Sequence, residues 1–297
     1  MLRFVLLLIT AGTICAQPVF RFQNNFWVNM HHFVRGEQWR RAHNQALELP
    51  LESLSAPERA AWEGALDAYQ EMATRSLIAD REMVEFNNAL AVADPFEEWK
   101  NAPVNRGMAA LKGGATFVYR AHRWDRDQRD NAAWITPHEP EIQRHAVAMR
   151  RAIAAAFHVK APREPILVDV AREVGPQLAY TTGGPVGYSG HSVIAPQKNA
   201  DPMIAMDTIF HEISHTMDRA INDQLYGEAE RQHVDPPQQL WHALTIYTTW
   251  KLTKRELRPK PGVPYTPDAD ADVRFERNGW EKLRVALDKD WQPYLDG

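Results

Sequence analysis

"DTIFHEISHTMD", Asp207 to Asp218, sets two histidines four residues apart with a glutamate directly after the first. Residues i and i+4 of a helix share a face, with Cβ atoms roughly 5–6 Å apart. His211 and His215 can therefore bring two imidazole nitrogens to one ion at about 2 Å each. Glu212 sits about 100° round the helix from His211. It is too far round to be the natural third ligand and well placed to hydrogen-bond a water on the metal. Zinc drives the pKa of such a water toward neutrality, and the carboxylate then takes its proton as it attacks a carbonyl.

In a chain with twelve histidines the H-E-x-x-H pattern needs its context. Ile209, Ile213, Ser214, Thr216 and Met217 around it are uncharged, and no proline intervenes. A buried helix carrying two histidines inward has this composition. The flanking order is helix, strand, strand pair, then helices. "TPHEPEIQRHAVAMRRAIAAAFHV" predicts a helix capped by Thr136, with Pro137 first, running to about Phe157. "PILVDVA" reads as a buried strand, and "QLAYTTGGPVGYSGHSVIAP" as two short strands around a turn. The next helix is "DPMIAMDTIFHEISHTMDRAIND", followed by a loop over roughly 223–236. "PPQQLWHALTIYTTWKLTKREL" is a further helix, a proline-rich loop spans 259–268, and "GWEKLRVALDKDW" is the last helix.

"TIFHEISHTM" resembles the active-site helix of the zincin metallopeptidases, and the element order over about 137–256 is similar to their catalytic subdomain. The resemblance implies His211 and His215 as zinc ligands and Glu212 as general base. It also implies a mainly helical α+β fold with a small sheet packed on the metal helix. A catalytic zinc needs a third protein ligand and an open position. The metzincin histidine is absent, because Ile221 stands there and Asp218 replaces the glycine; the aspzincin pattern is absent too. The helix over 238–256 holds only Glu256 at its end, which departs from the gluzincin glutamate, but it contains His242. His242, on an apolar helix 27 residues after His215, is the favoured third ligand. Glu228, Glu230 and His233 are the alternatives, in a stretch that reads as solvated surface.

Further residues have weaker claims. Tyr180, Tyr188, Tyr247 and Tyr265 could donate to an oxyanion, against plain aromatic packing. Asp207 and Asp218 could orient a ligand histidine, although charges at helix ends have simpler causes. The "AYTTGGPVGYSGHSVI" stretch could provide the edge strand that pairs an extended peptide, and His191 on it reads as exposed. His31 and His32 point about 100° apart in a helix and are not expected to share a metal.

Residues 18 to about 100 read as helical. One helix begins near Asn25, and another opens at Ser55 and Glu58 in capping-box spacing. "ATFVYRAHRW" has strand character. A linker near 100–106 divides a helical region, 17–106, from the catalytic region, 107–297. Residues 1–16 read as a secretory signal peptide: Arg3 leads, Phe4 to Cys15 are apolar, and Ala16 suits cleavage. The apolar run is short of the ~20 residues of a membrane span. Cys15 is the single cysteine, so cleavage leaves no disulfide, cysteine nucleophile or thiolate ligand. A net charge of −4 argues against nucleic acid as a partner. These readings converge on a secreted or periplasmic zinc-dependent peptidase acting on a peptide or protein. The alternatives are a non-catalytic zinc-binding or helical interaction protein, and a zinc hydrolase of a non-peptide envelope substrate. Because ligand histidines bind metal only when neutral, activity is expected to fall on acidification.

Overall fold

Four strands form one mixed sheet in the order β1-β2-β4-β3. The computed structural model describes residues 18–93, 111–175, 179–198, 200–257 and 275–297. β1 is Phe20–Gln23, β2 Ile166–Val170, β3 Ala179–Thr182 and β4 Gly190–Ile194. β1, β2 and β4 run parallel, and β3 pairs antiparallel to β4 at the edge, with Thr181 opposite Ser192. The architecture is thus α+β and mainly helical, with a small mixed sheet. The signal-peptide stretch, the 100–106 linker, the 259–268 loop and Tyr265 all lie outside the described residues.

β2 and β4 are buried on both faces, as expected of strands covered on two sides. Alternation splits their side chains between two cores. Ile166, Val168, Val170 and Ile194 face one cluster, and Leu167, Tyr180 and Val193 the other. The second cluster is filled by α1 (Phe26–Ala42), α2 (Ala56–Ala68) and α3 (Arg81–Ala91). Asn25 caps α1 by accepting from the amides of Trp27 and Val28. The expected capping box starts α2, with the Ser55 amide donating to Glu58 Oε2 at 2.9 Å. The first cluster is filled by α4 (Asp125–Ala156), α5 (Pro202–His215), α7 (Leu240–Leu257) and the C-terminal turns from Glu281–Ala286 to Gln292–Asp296.

Five local expectations are corrected. Phe20–Gln23, read as part of a helical region, is strand β1, and its partner β2 lies 146 residues on, so the sheet straddles the division at 106. "ATFVYRAHRW" is helical: Leu111–Ala115, Thr116–Tyr119 and Arg120–Trp124 lead into α4. Leu111, Ala115, Val118 and Tyr119 bury at helical intervals, which outweighs the local β-branched and aromatic content. Gly114, at φ 148°, makes the kink where Ala61 of α2 comes close. α4 does not begin at Thr136 but runs through Pro137 and Pro140. The two carbonyls those prolines cannot serve belong to Ala133 and Thr136, which are exposed to water, while Trp134, His138 and Ile142 hold the buried face. The Thr136 hydroxyl donates back to the Ala132 carbonyl at 2.8 Å.

The metal helix was expected to continue past Asp218 into a loop over 223–236. Instead α5 stops at His215, and α6 (Asp218–Arg231) follows at once. Ser214 and Thr216 donate their hydroxyls to the carbonyls of His211 and Ile213, and Met217 leaves the helical region at φ −114°, ψ 0°. Finally, His191 is fully buried rather than exposed. Its Nε2 meets Asp169 Oδ2 at 2.8 Å and its Nδ1 meets Asn88 Oδ1 at 3.0 Å.

One buried ion pair anchors the start of α4 and reaches the loop after α1. Arg123 Nε lies 2.9 Å from Asp127 Oδ1, Tyr119 donates to Asp127 Oδ2 at 2.9 Å, and Arg123 also reaches Glu48 at 2.6 Å. Burial raises the Asp127 carboxyl pKa, against the pull of Arg123. Asp127→Ala leaves the guanidinium short of a partner in the core, so unfolding free energy is expected to fall by about 3 kcal/mol. A urea melt within ~0.5 kcal/mol of wild type would show that Glu48 alone suffices.

Candidate metal centre

α5 is started by Asp201, whose Oδ1 accepts from the amides of Met203 and Ile204, with Pro202 as first residue. From Thr208 to Ser214 every residue is buried. The helix packs on α4 and α7 and against β3. Its last turn carries His211 and His215, and the break after His215 lets α6 turn Asp218 back toward them. Asp218 Oδ2 accepts from His215 Nδ1 at 2.8 Å.

That contact sets the tautomer. A proton on Nδ1, held by the carboxylate, leaves the lone pair of His215 on Nε2. Burial pushes the His215 imidazole pKa down, but the Asp218 hydrogen bond and the charges of Glu212 and Asp218 outweigh it, and the net direction is up. His215 Nε2 lies 3.1 Å from His211 Nε2. Two nitrogens on one tetrahedral ion at 2.0–2.1 Å would stand about 3.3 Å apart.

α7 supplies the third imidazole. Pro236 and Pro237 precede it, and Leu240 and Ala243 bond back to Pro237 and Gln239, which places His242 in its first turn. The His242 ring centroid is 5.5 Å from that of His211 and 5.5 Å from that of His215. One ligand atom from each of the three histidines lies within 4.8 Å of the others. The group could hold a metal ion, and its all-nitrogen donor set suits a borderline transition metal such as zinc better than calcium or magnesium. Trp241 stacks on His242 at 5.0 Å, and Trp280 meets it edge-on at 5.6 Å. Nothing in the spacing of the sequence pointed to either tryptophan.

Glu212 is 4 % exposed. Its Oε2 accepts from Thr181 Oγ1 of β3 at 2.5 Å, and Thr181 Oγ1 lies 2.6 Å from Ser192 Oγ of β4. Both hydroxyl residues sit at paired positions on the face of the sheet toward α5. The sequence reading missed them. The alternation in "AYTT" could have placed Thr181 opposite Tyr180, but not under Glu212.

The remaining predicted residues fall elsewhere. Glu228, at the end of α6, pairs with Arg231 and Gln232, and Glu230 and His233 are exposed; none joins the histidine group among the described residues. The Tyr180 hydroxyl bonds His32 and Asn87, and Tyr247 bonds Asp288 and Gln292. Tyr188 packs on the N-terminal cluster. Asp207 is half-buried on α5, four residues before His211. His31 and His32 are buried, with separate partners in Tyr69 and Tyr180. No family model matches this chain, and no curated protein or solved structure matches it.

Proposed function

We propose that this chain is an exported zinc-dependent hydrolase of the zincin type that cleaves peptide bonds. The observation that carries the reading is the convergence of His211, His215 and His242 from α5 and α7, with Glu212 one residue along the same helix. Three imidazoles would hold the ion, and Asp218 holds His215 in the tautomer that presents Nε2. Zinc, when bound, supplies a Lewis acid that acidifies water and polarises a carbonyl. Glu212 takes the proton of the attacking water and returns it to the leaving amine. β3, at the sheet edge beside α5, offers backbone pairing to an extended peptide. No helix among the described residues is long and apolar enough to cross a membrane, and export rests on the apolar leader after Arg3.

The test is metal content by elemental analysis on wild type and His242→Ala. One zinc per wild-type chain is expected, reduced at least tenfold in the variant after the same dialysis. Full zinc in both would remove His242 from the ligand set. No metal in either, after zinc is supplied, would leave "HEISH" without a metal function.

A further inference from the structure

Glu212 is the one fully buried acidic side chain of α5, and it is met there by the Thr181 hydroxyl of the sheet, which Ser192 contacts in turn. The Thr181 hydroxyl has one proton. Glu212 Oε2, 2.5 Å away, offers only acceptor positions, so that proton goes to the carboxylate. Thr181 Oγ1 must then accept from Ser192 Oγ at 2.6 Å. The direction Ser192 → Thr181 → Glu212 follows, with each bond polarising the next. Ser192 is fully buried in the middle of β4, and β3 is locked to β4 in the register that sets Thr181 opposite Ser192. The chain of hydroxyls is therefore as rigid as the sheet.

We infer that Thr181, polarised by Ser192, is a positioning residue that fixes the carboxylate of Glu212 against the sheet. The inference rests on the proposed role of Glu212 as base. Holding Oε2 to the strand fixes the plane of the carboxylate and removes the side-chain rotation that a long carboxylate otherwise keeps. It also couples the edge strand to the base, because the residue that follows Tyr180 on β3 is the one that orients Glu212. A displacement of β3 along its length would move the base with it.

The test has two readouts. The first needs no activity. Thr181→Val in metal-free protein keeps the shape and removes a donor to a buried carboxylate. It is expected to lower Tm by roughly 3–5 °C. In a Glu212→Ala background the same change is expected to lower Tm by clearly less, because only the Ser192 hydroxyl then loses its partner. Equal losses in the two backgrounds, or no loss in either, would overturn the contact. The second readout uses the zinc-loaded protein on a peptide library. Thr181→Val is expected to reduce kcat about 10–100-fold with KM and zinc content within about twofold of wild type, and Thr181→Ser to restore it. Unchanged kcat in Thr181→Val, or no rescue by serine, would overturn the positioning role. If zinc-loaded wild type cleaves nothing, the peptidase reading fails, and the melting comparison still decides whether Thr181 holds Glu212.

Discussion

Glu212→Gln is expected to abolish peptide hydrolysis, by about 10²–10⁴-fold in kcat, while leaving zinc content at the wild-type value. The two halves of this result have separate physical causes. Glutamine matches the volume of glutamate and can still accept from Thr181 through its amide oxygen, so the packing of α5 on the sheet survives. It cannot take a proton at neutral pH, so the base is lost. In the proposed site the imidazoles hold the ion and the carboxylate does not, and the Asp218 contact that orients His215 is untouched. Metal content and turnover should therefore separate cleanly in this one variant. Residual activity near wild type would mean that another group takes the proton, and the mechanism would be wrong. A loss of zinc together with activity would make Glu212 a ligand. A zinc-bound wild type without turnover would support a non-catalytic metal site, in which Glu212 has no evident task.

The second large effect is on stability in acid. His31 and His32 sit side by side in α1, both buried, with ring centroids 5.0 Å apart. Burial lowers the His31 imidazole pKa to about 3, with Arg35 adding to the effect. Burial lowers that of His32 as well, helped by His31, Arg35 and His191. The groups around them are the hydroxyls of Tyr69 and Tyr180, the edge of Phe86, and His191 with its partner Asp169. His31 Nε2 has no hydrogen-bond partner among the described residues, so a proton there would bury an unpaired charge. In the unfolded chain both rings titrate near 6.5. Below that pH the unfolded state binds more protons than the folded state, so stability falls as pH falls. Above 6.5 the stability is fully present. His31, with its folded value near 3, contributes a slope of up to about 1 kcal/mol per pH unit, and His32 acts in the same direction. From pH 6.5 to 4.5 His31 alone accounts for about 2 kcal/mol, and His32 adds in the same direction. Urea melts at pH 7, 5.5 and 4.5 would show the slope, and the His31 ring resonances should not titrate down to pH 5. His31 and His32 rings that titrate near 6.5 in the folded protein would refute the account.

The helix that carries His211 and His215 was legible because its signal is local. The i, i+4 spacing, the apolar neighbours and the acid after the first histidine are all read inside one turn of chain. His242 was legible for a related reason: a histidine on an apolar helix needs a partner, and few others stood downstream. Asp218 was visible only as an option, since its contact depends on α5 ending at His215. That break arises from two hydroxyls competing for backbone carbonyls, a balance too fine for periodicity to register.

What the sequence determined by itself was the chemistry available: which residues could ligate, which acid could serve as base, and that most of the chain is helical. What the tertiary structure alone decided was who meets whom. Phe20–Gln23 is a strand because β2 offers it an edge 146 residues later. His191 is buried because Asp169, on the neighbouring strand, and Asn88 satisfy both its nitrogens. Thr181 reaches Glu212 because strand register and helix packing coincide at one point. Helical periodicity repeats within four residues and leaves its mark on the sequence. A contact between distant segments is fixed only by burial of the two surfaces against each other, and no short stretch of either records it.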